Sequence, residues 1–430
     1  PGDALGIDVE NDFRPTFAIV PGKGNLVRRL MKAIRESEAV YAATPPGMDG
    51  EAMVWHVLAL SPDAKDKPVY CVTLTALTPD AIRAAFTAPR PLDMKQVEAH
   101  VARRIVERLI GWSVNAAARK MLDGKPSLTW GGMVALRLLS ERESQIATFV
   151  PQTAWHASVV FARDGERFTA QVLNAKGVPL TMRNEEQASQ LHMLLQHGAF
   201  WVDKTGQTMK IVPTHGAITL TELIGIAALD LALTSDRVLS LVATLYEAGW
   251  ITHPEGAHLP DADEAAKTYI RHEYGTDYVA PDVVVIERIA PTDVNRVPED
   301  LPGDGAALYS LIWRSFIVAH MTPAQERITA TRILVGASQG KPYPLELRTT
   351  AKRLYFDGWR RVLPNAADDQ TLPLLKEGET LAIQQIVTEM MTSEALSRYT
   401  LAALVGALVD IGLTVQDASG AVEGLVTAAY

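Results

Sequence analysis

The sequence predicts a multidomain chain of mixed α and β structure. Its length of 430 residues gives two to four domains at roughly 100–200 residues each. Strand, loop and helix patterns alternate near the start, and later the periodicity changes from helical to strand-like and back. Hydrophobic residues make up 47% and charged residues 21%, which is enough apolar material for packed cores and too little charge for disorder. With 29 Gly, 25 Pro and a single Cys, fibrous, disulfide-stapled and Cys-rich zinc-ribbon chains are excluded. The one thiol, Cys71 in PVYCVTL, can make no internal disulfide, which points to a reducing, cytoplasmic setting. The most apolar stretches, LIGIAALDLAL and LAALVGALVDIGL, are short and broken by Asp230 and Asp410, so no membrane span is expected. The opening PGDALGIDVENDF does not start with Met and has no charged segment leading into an apolar one, so it does not read as a signal peptide.

Residues 1–65 read as α/β. PTFAIV (15–20) is an expected strand, followed by a helix over GKGNLVRRLMKAIRESE with Leu26, Leu30 and Ile34 at helical spacing. AVYAAT (39–44) is a second strand, PPGMDG a loop, and EAMVWHVLAL (51–60) a helix with acids at its start. Ligands of such units sit at the carboxyl ends of the strands. Residues 66–148 hold a strand at PVYCVTL and a helix from TPDAIRAAFTA, with Thr78 as cap and Pro79 at its first position. Next comes a long helix, MKQVEAHVARRIVERLIGW. Val101, Ile105 and Leu109 form its apolar stripe, and Arg104, Arg108 and Trp112 share another face. That second face is either solvated and paired with Glu98 or Glu107, or a phosphate-binding ridge.

Residues 149–212 change to strand alternation. WHASVVFARDGERFTAQVLN is an expected hairpin turning at Asp164-Gly165, and FWVDK and TMKIVP follow. Within 213–296, TLTELIGIAALDLA and DRVLSLVATLYEAGW form two helices joined by a tight turn, with Ser235 as the second cap, Gly249 as its end and WIT as a strand. This is a helix-turn-helix or winged-helix layout, though its second helix carries only Arg237 as a base near its start. Residues 297–430 look mostly helical, with Leu308, Ile312 and Phe316 as one stripe. They include β character around TAKRLYFDGWRRVLP and end in an Ala/Gly-rich tail.

Lys and Arg number 41 against 50 Asp and Glu, a net charge of −9, which speaks against tight nucleic-acid binding unless a local patch overrides it. Metal motifs are poor: the loop 44–51 offers only Asp49 and Glu51, and His253 and His258 flank a carboxylate in a loop. No Walker A loop, G-x-S-x-G elbow or dinucleotide fingerprint occurs. The Gly22-Lys23-Gly24 turn precedes a helix and reads as a tight turn or a weak anion site.

Taken in order, GIDVENDFRP, PGKGNLVRRL, VYAATPPGMDGEAMVWH, ARRIVERLIGW, VALRLLSERE, LYEAGWIT, TYIRHEYGTDY, IAPTDV, LYSLIWRSFIVAHM, LYFDGWRRV, LLKEGE and RYTLAALVGAL resemble the type IA DNA topoisomerases, bacterial topoisomerase I in particular. The resemblance covers nearly the whole chain and rests on the order and spacing of the segments. It implies a toroid: a partial Toprim-like α/β domain over 1–65, a helical base beginning over 66–148, and a β-rich arch segment over 149–212. A winged-helix-like domain over 213–296 would hold the nucleophile position, and 297–430 would return through arch and base. The family cuts and rejoins one DNA strand through a tyrosine, using Mg²⁺.

The family's polar positions are replaced here. The tyrosine position is His253, and the arginine two residues on is Glu255. Of the Toprim string Asp-x-Asp-Arg-Glu-Gly-Glu, Pro45 and Gly47 stand for the aspartates, Met48 for the arginine and Asp49 for a glutamate. Ile286 and Ala290 replace a His and an Arg, Thr129-Trp130 a Gly-Arg, and Asp236 a Lys. Thr414 to Ser419 replace a Gly-Arg-Pro-Ser-Thr-Tyr string. Scaffold positions persist while positions that touch DNA, metal or phosphate are lost, so phosphoryl-transfer electrostatics would be absent or reversed. The resemblance therefore implies a pseudoenzyme with no required cofactor, Asp49 being a remnant of the metal acids. At most it would hold single-stranded DNA through Arg103, Arg104, Arg108 and Arg137, and it would then lie with the nucleoid. Two alternatives stand beside it: a protein-interaction scaffold without DNA binding, and an active enzyme with relocated chemistry at a residue such as Tyr246.

Overall fold

The computed structural model describes residues 5–121, 128–214, 216–254, 260–281, 288–301, 303–364 and 372–427. The chain opens with β1 (Ile7–Asp8) and β2 (Arg14–Pro15), a short antiparallel pair. Then come α1 (Gly24–Glu36), β3 (Val40–Thr44), α2 (Met48–Leu60), β4 (Val69–Thr73) and α3 (Pro79–Thr87). β3 and β4 are parallel, with Val40 opposite Val69 and Thr44 opposite Thr73, so α2 lies in the crossover between them. Thr78 caps α3 as expected, its hydroxyl accepting the Ala81 N–H at 3.3 Å. The strand expected over 15–20 does not form beyond Pro15. Phe17, Ile19 and Val20 are exposed, and a run without a neighbouring strand has nowhere to place its backbone hydrogen bonds. The α1 stripe is also less buried than its spacing suggests: Ile34 is in the core while Leu26 and Leu30 are exposed. The second helix begins at Met48, three residues before the start expected at Glu51, after Gly47 turns the chain at φ +94.

α4 (Met94–Met121) is the long helix the arginine pattern predicts, and α5 (Trp130–Thr148) follows with Thr129 as its cap. β5 (Thr153–Arg163) and β6 (Glu166–Asn174) form the expected hairpin, with Asp164 and Gly165 both left-handed at its tip. α6 (Glu185–Gln196) leads into β7 (Ala199–Val212), where FWVDK and TMKIVP join in one strand. α7 (Leu220–Asp230) starts on a Thr219–Glu222 capping box. α8 (Ser235–Glu247) is capped by Thr234, not Ser235: the Thr234 hydroxyl accepts the Arg237 N–H, and Ser235 is already helical. Gly249, at φ +70, ends that helix as read from the sequence, and the Trp250 N–H returns to the Leu245 carbonyl at 2.9 Å. α9 (Pro260–Glu273) and α10 (Gly303–Ala319) follow.

The region after 297, read as mostly helical, supplies four strands: β8 (Ala324–Ser338), β9 (Lys341–Phe356), β10 (Thr380–Leu381) and β11 (Ile383–Thr392). Among the described residues these join β5, β6 and β7 in one antiparallel sheet ordered β10-β7-β8-β9-β6-β5-β11. Its core holds Phe161, Phe168, Val202, Ile333 and Leu347 and is covered by Leu191 and Leu195 of α6. The chain closes with α11 (Leu401–Asp410) and α12 (Val415–Thr427). The Ala/Gly-rich tail is therefore helical: Ala418, Ala421, Val422 and Leu425 recur at helical spacing and pack with Leu404, Val405 and Leu408.

α10 anchors the largest core. Leu308, Ile312 and Phe316 are buried as the stripe predicts, and so are Tyr309, Trp313, Ile317 and Val318 on its other sides. Two polar tips keep that burial tolerable: the Tyr309 hydroxyl donates to the Arg296 carbonyl at 2.8 Å, and the Trp313 indole donates to the Val294 carbonyl at 2.9 Å. Gly358 closes the turn after β9 at φ +49, where a Cβ would lie 2.5 Å from the Thr322 carbonyl oxygen. Gly358→Ala is expected to lower unfolding stability by about 2 kcal/mol or more through backbone strain and displacement. An unchanged urea midpoint would refute that geometry.

Candidate nucleic-acid interface

The face of α4 that carries Arg104, Arg108 and Trp112 lines an open groove of about 840 Å³. Its far walls are the start of α5, at Thr129 and Trp130, the turn between α11 and α12, at Gly412 and Leu413, and the first turn of α12, at Gln416 and Asp417. Asn115 fixes the near wall, because its amide donates to the Leu128 carbonyl at 2.9 Å and accepts the Leu128 N–H at 2.9 Å. The helical period decides this convergence: residues 104, 108 and 112 fall one turn apart on one face.

The four arginines named from the sequence differ in their surroundings. Arg103 lines the groove but is drawn to Asp49 at 2.9 Å and lies 3.6 Å from Asp417. Arg104 binds Glu107 at 2.6 Å while its side chain stays 62% exposed, so it can still swing towards a ligand. Arg108 donates through Nε to the Leu5 carbonyl at 3.1 Å and places its guanidinium 5.3 Å from the Trp112 ring centre. Arg137 does not join them: it is on α5, binds Glu141 at 2.8 Å and does not line the groove. Trp130 and Gln416, which fall in segments the family resemblance marked as replaced, also line it, and so does Asn115, which carried no sequence signal of its own.

The acids at the start of α2 are held by bases. Asp49 meets His100 Nδ1 at 2.7 Å and Arg103 Nη2 at 2.9 Å. Glu51, 1% exposed, pairs with Arg90 and accepts the Asp93 N–H at 2.9 Å. Neither Arg90 nor His100 was evident as a partner from spacing, because both lie some 40 to 50 residues away in the chain. A Mg²⁺ site needs several carboxylates converging with free lone pairs. These two are each neutralised by a cation, and the described residues contain no cluster of three or more His, Cys, Asp or Glu able to hold a metal. The residues present do not fit the family's metal.

Burial would raise the Glu51 carboxyl, but hydrogen bonds from Arg90 and the Asp93 N–H outweigh it and hold it below its ordinary 4.5. A lowered carboxyl means the unfolded chain takes up the proton first. The pair's contribution is therefore full above about pH 4.5 and is lost as pH falls through the depressed value. Glu51→Gln is expected to cost about 2–3 kcal/mol at pH 7. It should also flatten the acid limb of a stability–pH curve measured by urea unfolding, and an acid limb identical to the parent's would contradict this.

His253 is buried, and its backbone N–H donates to the Thr75 carbonyl at 2.9 Å. Burial lowers its imidazole below the ordinary 6.5, so it is neutral at pH 7. Its ring stands edge-on to Tyr246 at 5.1 Å. The Tyr246 hydroxyl donates to the Leu74 carbonyl at 3.2 Å, and burial raises its pKa, which disfavours the phenolate a nucleophile needs. Glu255, His258 and Ile286 lie outside the described residues. Ala290 is buried, with its N–H on the Thr252 hydroxyl at 3.0 Å. The Asp236 N–H donates to Glu423 of α12 at 3.2 Å, and Thr414 caps α12 by accepting the Asp417 N–H at 3.1 Å. Among the described residues no helix is long and apolar enough to cross a membrane.

Comparison with known proteins places this geometry in a family. A family model described as DNA topoisomerase matches residues 91–414. The chain is 31% identical over 432 aligned positions to DNA topoisomerase 1 of Pseudomonas aeruginosa, covering 95% of this chain and 48% of that protein. It is 30% identical to DNA topoisomerase 1 of Pasteurella multocida over 95% of this chain and 48% of that one. The chain thus spans about half the length of these relatives. The structure of full-length topoisomerase I from Thermotoga maritima superposes with a TM-score of 0.83 at 24% identity, over 99% of this chain and 72% of that one. The expected mixed architecture, with a curled sheet and helical parts that fit a type IA toroid, is therefore the one observed.

Proposed function

Because the chain belongs to the type IA DNA topoisomerase family, we propose that it holds a single strand of DNA in the groove beside α4 and does not cleave it. The observation that carries this reading is the alignment of Arg104, Arg108 and Trp112 along one open groove, while Asp49 and Glu51 are tied to basic partners. Cations along a groove track a phosphate backbone, and an exposed indole offers a stacking face for a base. Trp112 is 38% exposed. In this reading residues 1–65 serve as a partial Toprim-like domain and 213–296 as a winged-helix-like domain, with His253 at the former nucleophile position. The protein works in the cytoplasm beside the nucleoid.

Cleavage would need a nucleophile, a cation at the scissile phosphate and a metal or equivalent charge on the developing oxyanion. The buried His253 imidazole, uncharged, brings no cation to a phosphate, and the half-buried Tyr246 donates its hydroxyl to a backbone carbonyl with its pKa raised, away from the phenolate form. A second reading, a protein scaffold without DNA binding, is favoured by the ion pairs that occupy Arg103 and Arg104.

Titration of a labelled single-stranded oligonucleotide at low and moderate salt decides between the two. Binding with a steep salt slope is expected, and Trp112→Ala should weaken it about tenfold or more. No binding at low salt would leave the scaffold reading. Supercoiled plasmid is expected to stay unrelaxed with Mg²⁺, both for the parent chain and for His253→Tyr. A covalent protein–DNA adduct with either would overturn the non-cleaving reading.

A further inference from the structure

We infer that the β7–β8–β9 ribbon, where it leaves the α10 core, is a second nucleic-acid contact, in which Arg327 and Arg353 together hold a phosphate of a DNA strand and Tyr355 stacks on a base. That the ligand is DNA rests on the family reading above; the site is separate from the groove, which is built by α4, α5 and the α11–α12 turn.

Arg327 on β8 stands directly opposite Arg353 on β9, with Met209 of β7 opposite Arg327 on its other side. Directly opposed residues share a face, with Cβ atoms about 4.5–5.5 Å apart, and like charges there destabilise the sheet. The same two strands contain an internal control. Arg332 stands opposite Arg348, and that pair is compensated: Arg332 reaches Asp203 at 2.6 Å and Arg348 reaches Glu346 at 2.9 Å. Arg327 and Arg353 are both exposed, and neither has an acidic partner among the described residues. The nearest acid along β8, Glu326, is already bound to Arg360 at 2.8 Å.

An anion between two guanidiniums removes the repulsion, and a phosphodiester suits their planar donor forks. The surroundings favour a nucleic acid over a simple ion. Tyr355 is 61% exposed with the Arg327 guanidinium 4.9 Å from its ring centre, and Met209 and Ile211 are exposed nearby on β7. A flat aromatic with a cation and apolar neighbours is a stacking platform for an unpaired base.

The test compares the parent chain, Arg327→Ala/Arg353→Ala and Trp112→Ala with an oligodeoxythymidylate probe carrying 5-iodouracil. Losing the contact with one phosphate of a single strand should reduce the slope of log affinity against log salt by about 0.7 for the double variant. Its melting temperature without DNA should rise, because the repulsion is gone; a purely structural arginine pair would lower it. Photocrosslinking of the parent chain should give an adduct on the peptide containing Tyr355. An unchanged salt slope with adducts confined to the Trp112 peptide overturns this inference and leaves the groove intact. Adducts at Tyr355 with Trp112→Ala binding at full strength keep the ribbon and remove the groove. Competition by polyglutamate as strong as by unlabelled oligonucleotide would overturn the assignment to nucleic acid, and absence of any binding removes both sites.

Discussion

Glu51 sets the constraint around which the candidate site is organised. A carboxylate so nearly excluded from water must be partnered or neutralised, since an uncompensated buried charge costs several kcal/mol. Its partners are Arg90 and the Asp93 N–H, which lie at the entrance to α4. Two residues earlier on the same helix, Asp49 reaches His100 and Arg103 on the first turns of α4. α2 is thereby held to the start of a 28-residue helix whose later turns carry Arg104, Arg108 and Trp112. The acids that a metal-dependent strand-cutting centre would keep free here serve as an electrostatic clamp between two elements.

The same charge logic extends to the other described cations. In a chain of net charge −9 most cations are expected to find an acid. Arg103, Arg104, Arg137, Arg332, Arg348 and Arg360 all do. Arg108 packs against Trp112, and Arg327 against Tyr355. Among the described residues, the two cations that lie over an exposed aromatic fall on open surfaces, one a helical groove and the other a sheet ribbon. Aromatic and guanidinium together form the unit from which single-strand contacts are built.

At the level of elements the sequence was informative wherever local chemistry and tertiary demand agreed. The Asp164-Gly165 turn, the Thr78 cap, the Gly249 stop and the α4 arginine face all follow from short-range rules. The disagreements have a common origin. Residues 15–20 are apolar enough for a strand but have no neighbour with which to pair. Thr234 and Ser235 are both good caps, and only backbone conformation chose between them. The tail after 414 read only as Ala/Gly-rich, and its small residues are what allow it to approach α5 closely: a Cβ on Gly131 would lie 2.8 Å from Ala421.

The sequence by itself determined the family and those elements that follow short-range rules, because these are properties of residue type and linear spacing. Only the tertiary structure decided what the remaining charges do. Arg90 and His100 pair with acids some 40 to 50 residues away, and Arg137 turns away from the groove to Glu141. Arg327 meets Arg353 because two strands fold back in one particular register. Coulombic partners are chosen by distance in space, and neither periodicity nor composition encodes that distance.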